Sequence, residues 1–377
     1  MLSPVKAKRF VPQALLLATT LLGCAGGLHL TAVRATNNKP SNVVVYFKVQ
    51  DGETPVGGLD ADSFRIYEDG ELVSKFESKQ TILNPEVAAS HYTLLLVDMS
   101  GSIVDGGALD VLVEAVNTFT DKVEKNQKVA IFAFDGATEL HAIAPFSTAG
   151  AKGAGKTLAG YKPKDPSTNL NGAIVLGLKE LDKALASAEN PLRFGTLVVF
   201  TDGTDRAHRV SNEDVKKSLD ESKYDIFAIG LGAEMKDSEL STLGRNGTAK
   251  ATDKASVVAA FDTIASRIDA ATKSYYLLSY CSPARAGKHK VKIEAVEKDK
   301  NGGSEKTGSL ESDFDAAGFG TGCNPNQKPN FDISKGDALI VKTDPKPGTG
   351  GGTVSATATA TVKVAPTATA TGETFTP

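Results

Sequence analysis

The sequence predicts an α/β fold in which a doubly wound, mostly parallel sheet is inserted into a small β-sandwich. Three observations support this prediction. Apolar strands alternate with amphipathic helices between residues 91 and 273. Segments of β character without helices lie on both sides of that region. Finally, Leu94–Val97 is apolar at four successive positions, which is typical of a strand buried on both faces of a parallel sheet.

Apolar segments separated by helices make up the predicted parallel sheet. Its strands cover residues 94–97, 129–134, 197–200 and 226–231, with a short antiparallel edge strand at 139–143. The intervening helices carry apolar residues three and four positions apart, over residues 109–123, 174–185 and 258–268. That spacing defines one apolar face of a helix. The alternation therefore predicts βαβ units and a parallel sheet covered by helices.

The flanking segments are predicted to form the β-sandwich together, because the first one is too short to hold a core of its own. Their strands cover residues 43–49, a hairpin with arms at 64–68 and 72–76, and then 275–280 and 291–296. The predicted sandwich comprises residues 41–90 and 274–323, and the inserted domain comprises residues 91–273. Residues 25–40 are predicted to be a tether, and the low-complexity segment 324–377 is predicted to be disordered.

The composition excludes several classes of function. The 377 residues include 42 lysines and arginines against 45 acidic residues, and no basic block follows the N-terminus, so a nucleic-acid partner is not expected. The segment Gly150–Thr157 fits the phosphate-loop pattern G-x-x-x-x-G-K-[ST], but Gly160 and Pro163 leave barely one helical turn after it. We therefore interpret it as a surface loop and expect no bound nucleotide.

The N-terminus has the pattern of an export signal. The cations Lys6, Lys8 and Arg9 precede an apolar stretch at 11–22, which is too short to span a bilayer comfortably. The stretch ends in Leu-Leu-Gly-Cys24, which resembles the lipobox of bacterial lipoproteins. That resemblance implies a signal peptide over residues 1–24, lipidation of Cys24 and anchoring in the bacterial cell envelope. Because Ala25 and Gly26, and no acidic residue, come directly after Cys24, the outer membrane is favoured. The alternative is an ordinary signal peptide cleaved nearby.

Cysteine usage agrees with export. If Cys24 carries lipid, Cys281 and Cys323 remain as an even pair in an oxidising compartment. We predict that they form a disulfide; the alternative is two buried free thiols.

The strand at Leu94–Val97 leads directly into a group of polar side chains. Asp98, Ser100 and Ser102 follow at every second position. Open α/β sheets bind ligands at the carboxyl ends of their strands, and one carboxylate with two hydroxyls suits a hard cation. Farther along, Thr168 lies in a loop before a helix, and Asp202 follows the apolar strand at 197–200.

Asp98-x-Ser100-x-Ser102, then Thr168, then Asp202 resembles the metal-ion-dependent adhesion site of von Willebrand factor A-type domains. The resemblance covers residues 92–273. It implies that these five side chains hold a divalent cation, most readily Mg²⁺, with Mn²⁺ or Ca²⁺ as alternatives, directly or through water. It also implies a protein ligand whose acidic residue completes the metal shell. The alternative is that the acids and hydroxyls merely cap helices.

We therefore expect a cation-dependent binding or adhesion module, exported and lipid-anchored, and not an enzyme. The five histidines are scattered, without a metal-ligand or triad spacing, and the site has no adjacent histidine as a general base. A second hypothesis is an envelope assembly or scaffold factor that uses the same domain without obligatory metal. Asp105 and Asp205 lie near the site in sequence and are candidates for residues that shape its rim.

Overall fold

The computed structural model describes residues 27–146, 150–233, 235–298 and 305–331, together with the backbone of residues 353–356. The strands of this part of the chain are β1 Leu28–Asn38, β2 Asn42–Asp51, β3 Thr54–Pro55, β4 Phe64–Glu68, β5 Glu71–Leu72, β6 Thr81–Leu83, β7 Ala89–Asp98, β8 Lys128–Phe134, β9 His141–Ala144, β10 Leu192–Thr201, β11 Asp225–Leu231, β12 Gly247–Ala251, β13 Tyr275–Cys281, β14 Lys288–Glu297, β15 Lys306–Asp315 and β16 Thr353–Ala356. The α-helices are α1 Lys75–Ser78, α2 Gly101–Asp105, α3 Leu109–Val123, α4 Ala154–Ala159, α5 Leu170–Ala186, α6 Asn212–Glu221, α7 Asp237–Leu243 and α8 Val257–Lys273.

The central sheet has the strand order β16-β12-β11-β10-β7-β8-β9. All of its strand pairs are parallel except the one between β8 and the edge strand β9. The central strand β7 is apolar from Leu94 to Val97, and these four side chains are fully buried because helices cover both faces. Helices α3, α4 and α8 pack on one face, and α5, α6 and α7 pack on the other.

Gly177 allows α5 to pack closely against this sheet. A Cβ atom at this position would lie 2.9 Å from Leu96 Cδ1 and 3.2 Å from Leu197 Cδ1. Glycine is costly in a helix interior, so its presence here is explained by the close approach of helix and sheet. This contact sets the distance between α5 and the sheet. The N-terminus of α5 follows Thr168 in the chain.

The flanking segments form two antiparallel sheets that face each other. One sheet has the order β1-β2-β13-β6, with β3 added to β2, and the other has the order β15-β14-β4-β5. Their inward-facing side chains share one apolar core that includes Phe47, Phe64, Tyr276 and Ile293. The central α/β domain enters the chain between β6 and β13. The predicted fold class, a parallel α/β sheet inserted into a small β-sandwich, is confirmed.

A cluster of rings joins the sandwich to the α/β domain. Tyr46 and Tyr275 point outward from the first sheet of the sandwich and contact Phe194 at the start of β10. The ring of His91, near the start of β7, stacks on Phe194 with 4.4 Å between centroids. His91 Nε2 is buried without a hydrogen-bond partner, and burial lowers the pKa of this imidazole to about 4.

The structure differs from the predicted tether and from the predicted hairpin. Residues 28–38, assigned to the tether at 25–40, form β1, which pairs antiparallel with β2 and buries Leu28 and Leu30. The second arm of the hairpin, predicted at 72–76, is limited to β5, because the chain turns into α1 at Lys75. Within the predicted tail, the backbone of 353–356 pairs with β12, so that part of it is not irregular.

A disulfide and several hydrogen bonds hold the segment after β15 against the sandwich. The sulfurs of Cys281 and Cys323 are bonded, with 2.06 Å between them. Gly320 N–H donates to the carbonyl of Pro40 at 2.8 Å, next to β2. Cys24 and the rest of the predicted signal peptide lie outside the described residues. Over the residues that are described, no helix is both long and apolar enough to cross a membrane.

Candidate metal centre

The predicted site residues meet at the carboxyl ends of the two central strands. Strands β7 and β10 are neighbours in register, with Val97 opposite Phe200. Asp98 is the last residue of β7, and Asp202 directly follows Thr201, the last residue of β10. Parallel pairing therefore places both carboxylates at the same edge of the sheet.

Asp98 is a fully buried carboxylate with neutral hydrogen-bond donors. Its Oδ1 accepts the Ser100 N–H at 2.9 Å, and its Oδ2 accepts the Thr201 hydroxyl at 2.7 Å. Burial, with a smaller contribution from the charge of Asp202, raises the pKa of Asp98 to about 7, and the hydrogen bonds from Thr201 and Ser100 oppose this rise. A cation beside Asp98 would compensate its buried negative charge.

Ser100 and Ser102 lie at the start of α2. Ser100 precedes Gly101, the first residue of that helix, and its Oγ lies 3.1 Å from Ser102 Oγ. Gly101 N–H donates to the carbonyl of Pro166 at 2.9 Å. Because of this bond, the loop that carries both serines is attached to the loop that carries Thr168.

Thr168 is held in place from the end of β8. Asp135, which follows β8, is fully buried; its Oδ2 accepts the Tyr161 hydroxyl at 2.8 Å and the Lys164 N–H at 2.7 Å. The carbonyl of Asp135 accepts the N–H of Asn169 at 3.0 Å. These hydrogen bonds clamp the loop on both sides of Thr168. Its own carbonyl accepts the N–H of Arg206 at 2.9 Å, which ties it to the loop after β10.

These loops enclose an open cleft of about 100 Å³. Its lining residues are Ser102, Pro166, Thr168, Asp202, Gly203 and Arg206. Three of the five predicted site residues, Ser102, Thr168 and Asp202, thus form its wall. The other two do not line the cleft but contact its neighbours: Asp98 accepts hydrogen bonds from Ser100 and Thr201, and Ser100 Oγ contacts Ser102 Oγ.

Sequence reasoning missed two residues of this site, Thr201 and Arg206. A signal for Thr201 was present, since it is a hydroxyl at a strand end directly before Asp202. No local signal singled out Arg206. Asp105 and Asp205 are not among the residues that line the cleft. The carboxylate of Asp205 instead accepts the N–H of Asn171 at 3.1 Å, at the start of α5.

The side chains gathered here fit a hard divalent cation. Hydroxyls of Ser100, Ser102 and Thr168 and carboxylates of Asp98 and Asp202 are oxygen donors, the type that Mg²⁺, Mn²⁺ and Ca²⁺ prefer. Throughout the part of the chain that the structure describes, no group of three or more His, Cys, Asp or Glu side chains could hold a metal ion. A cation at this cleft would therefore depend on hydroxyls as much as on acids.

The phosphate-loop pattern at Gly150–Thr157 has a different environment. The Ala151 N–H donates to Glu124 Oε1 at 2.6 Å. Helix α4 begins inside the pattern, at Ala154, and has only six residues. A carboxylate thus faces the backbone where a phosphate loop would need to cradle an anion. The predicted surface loop is therefore only partly correct, because the second half of the segment is the start of α4, which packs on the same apolar core as α3.

This α/β domain carries hydroxyl and carboxylate side chains at the carboxyl ends of its two central strands, β7 and β10. Residues 93–204 match the family model of the von Willebrand factor type A domain. No curated protein matches the chain.

Solved structures similar to this chain share little sequence with it. A von Willebrand factor type A protein from Catenulispora acidiphila is 12% identical over 76% of this chain and 73% of that one, with a TM-score of 0.42. Proximal thread matrix protein 1 from the mussel byssus, with a zinc-occupied MIDAS motif, is 14% identical over 47% of this chain and 48% of that one (TM-score 0.41). The pilus adhesin SpaC from Lactobacillus rhamnosus GG is 10% identical over 75% of this chain and 47% of that one (TM-score 0.40).

Proposed function

We propose that this protein is a binding module whose α/β domain engages a protein partner through a divalent cation, most readily Mg²⁺. Asp98, Ser100, Ser102, Thr168 and Asp202 would hold the cation. When bound, the cation would supply an electrophilic position for a carboxylate oxygen of the partner. The supporting observation is the buried Asp98, whose partners are neutral donors, placed behind a cleft walled by hydroxyls and Asp202.

Binding rather than catalysis is supported by the chemistry of the cleft. None of its lining residues is a histidine, and no lining side chain is an obvious general base apart from Asp202, which the proposal assigns to the cation. His208 is the histidine nearest to Asp202 in sequence. Its side chain is 82% exposed and lies beside Asp205. We therefore propose that this cleft binds a ligand and catalyses no reaction.

We also propose that the protein is exported and carries a lipid on Cys24. The lipobox-like sequence and the Cys281–Cys323 disulfide support this, because disulfides persist in oxidising compartments. Metabolic labelling with a radioactive fatty acid, in wild type and Cys24→Ala, tests it. Label that is present in wild type and lost in the variant is expected; equal labelling would contradict lipidation at Cys24.

The cation site is tested by calorimetric titration of Mg²⁺ and of Mn²⁺ into protein that lacks residues 1–24. Wild type should bind one ion, and Asp98→Asn should weaken binding by about tenfold or more, because metal affinity falls by that order when supporting groups are removed. Asp105→Asn serves as the control, since this acid is nearby but does not line the cleft, and it should bind like wild type. Equal affinities in wild type and Asp98→Asn would favour the metal-independent scaffold.

A further inference from the structure

Phe76 is exposed to solvent on a helix that is fixed to the sandwich. The residue is 95% exposed and occupies the second position of α1. Val73, before the helix, and Ser78, at its end, are both buried. The ammonium group of Lys75 donates to the carbonyl of Asp62 at 2.9 Å and lies 3.2 Å from its carboxylate. Because the chain is held on both sides of Phe76, the exposure of its ring is a fixed property of this surface.

Leu72 adds a second apolar group to the same edge of the sandwich. It lies in β5, the edge strand of the second sheet, and is 62% exposed. Of the residues that the structure describes, Leu72 and Phe76 are the large apolar ones that are exposed, and they belong to one short stretch of chain. Folding gains nothing from either exposed side chain, and grouped exposed apolar residues mark contacts with other molecules. We call Leu72 and Phe76 the apolar edge.

The start of β1 lies at the same end of the sandwich as α1. Ala295 pairs with Gly308 on one side and with Phe64 on the other, so the three form a row across β15, β14 and β4. Gly308 packs against the backbone of Leu28, the first residue of β1. At the other end of the row, the amide of Gln80, just after α1, donates to the carbonyl of Phe64 at 2.9 Å. Adjacent strands are about 4.8 Å apart, so the row is about 10 Å wide.

A lipid on Cys24 would bring the bilayer to this end of the sandwich. Four Cα–Cα steps lead from Cys24 to Leu28, and an extended chain spans at most about 14 Å over that length. With Cys24 at the bilayer surface, Leu28 lies no farther than this from the lipid, and the apolar edge lies on the far side of the row. The bilayer is therefore an apolar phase within reach of Phe76.

The charges beside Phe76 are compatible with a lipid surface. Lys75 and Lys79 flank the ring, and Asp62 and Glu77 offset them, so the group has no net charge. Lysine side chains can keep their ammonium groups in water while an apolar neighbour enters the headgroup region. Burial of the ring, and not charge, would therefore carry the contact.

The apolar edge is too small to hold a protein partner by itself. A stable protein interface buries about 800 Å² on each partner, which is several times what two side chains can offer. A bilayer needs no such area here, because the lipid anchor supplies the affinity and keeps the edge at a high effective concentration next to the surface. A small apolar edge close to an anchor suits orientation of the molecule.

We propose that the apolar edge inserts into the surface of the bilayer that holds the Cys24 lipid, and fixes the sandwich against it. This docking depends on the proposed lipidation of Cys24 and is independent of the cation site. The contact lies entirely in the sandwich, whereas the cleft lies at the carboxyl end of β7, in the α/β domain. Docking would thus restrict the motion of the protein on its tether and leave the cleft outside the contact.

The test uses the full lipidated chain, which contains no tryptophan, so Phe76→Trp places a single fluorophore at the apolar edge. The protein is extracted from the membranes of the producing cells and reconstituted into phosphatidylcholine vesicles, with or without bromine on the acyl chains. Bromine quenches tryptophan only at contact, and we expect Phe76→Trp to lose most of its emission in brominated vesicles. Lys216→Trp is the matched control, because this α6 side chain is 67% exposed and lies in the α/β domain; it should keep its emission.

A second pair of variants separates the effect of Phe76 from that of an added tryptophan. Ser74 is exposed directly before α1, so Ser74→Trp reports on the same edge with Phe76 in place. Its emission should also fall in brominated vesicles. Adding Phe76→Ser should restore most of that emission, because the apolar area that drives insertion is then largely gone.

Full emission of Phe76→Trp in brominated vesicles would overturn the proposal, as would equal quenching of Lys216→Trp. Quenching of Ser74→Trp that persists after Phe76→Ser would also overturn it. A blue-shifted but unquenched emission of Phe76→Trp would show that a protein surface, from a partner or a second copy, covers the edge in place of lipid. Flotation of the vesicles tests the anchor separately: wild type that does not float with them refutes lipidation of Cys24, and the docking with it.

Discussion

His91 should make the stability of the protein fall as the pH is lowered from 7 to 4. In the native state its imidazole stacks on Phe194 between the sandwich and the α/β domain, and burial lowers its pKa to about 4. In the unfolded chain a histidine has a pKa of about 6.5. Between these values the unfolded state binds a proton that the native state does not, so acid favours unfolding.

The magnitude follows from the two pKa values. Linkage predicts a loss of about 2 kcal/mol by pH 5 and about 3 kcal/mol by pH 4, with the full contribution present above pH 6.5. His91→Phe keeps a ring against Phe194 and removes the titration. The difference in unfolding free energy between wild type and His91→Phe should therefore change by these amounts, while contributions of other titrating groups such as Asp98 cancel.

Urea unfolding followed by far-ultraviolet circular dichroism is a suitable assay, because the chain contains no tryptophan. It should be carried out with a chelator between pH 7 and pH 4.5. His208→Asn is the control, since the side chain of His208 is 82% exposed, and its pH dependence should match that of wild type. If wild type and His91→Phe differ by a constant amount within about 0.5 kcal/mol over this range, the reasoning is refuted.

Three further substitutions test the scaffold by the same unfolding assay. Cys323→Ser opens a disulfide that spans 42 residues and should cost up to about 4 kcal/mol, with no further loss on adding a reductant; sensitivity of the variant to reductant would contradict this. Gly177→Val would force a Cβ to within 2.9 Å of Leu96 Cδ1 and should cost about 1–3 kcal/mol, whereas an unchanged stability would show that α5 can move away. Tyr280→Phe removes the hydroxyl that donates to the buried carboxylate of Glu68 at 2.8 Å; we expect a cost of about 1–3 kcal/mol, and an unchanged stability would argue against it.

Local patterns were sufficient to predict the central sheet and much of the site. Leu94–Val97 is apolar throughout because both faces of β7 are covered, so the strand and Asp98 at its end could be located from the sequence. Strand β10 begins at Leu192, five residues before its predicted start. Arg193 and Gly195 interrupt the apolar pattern there, and pairing with the start of β7 keeps these residues in the strand.

Features that depend on distant contacts could not be predicted in this way. Strand β1 buries only Leu28 and Leu30 strongly and is otherwise half-exposed, so its pairing with β2, not its pattern, makes it a strand. Arg206 enters the cleft because the loop after β10 closes onto Thr168. A hydrogen bond between loops that are 38 positions apart leaves no trace in the local sequence.

The insertion of the α/β domain between β6 and β13 has a mechanical consequence. A ligand that pulls on the cleft would transmit tension to the sandwich through these two adjacent strands. Strand β6 has three residues and, among the strands that the structure describes, pairs only with β13, so it would peel away at low force. Strand β13 pairs with β2 over seven residues and ends at Cys281, which is cross-linked to Cys323. The sustained load would therefore pass through β13 into β2, which follows β1 in the chain and pairs with it.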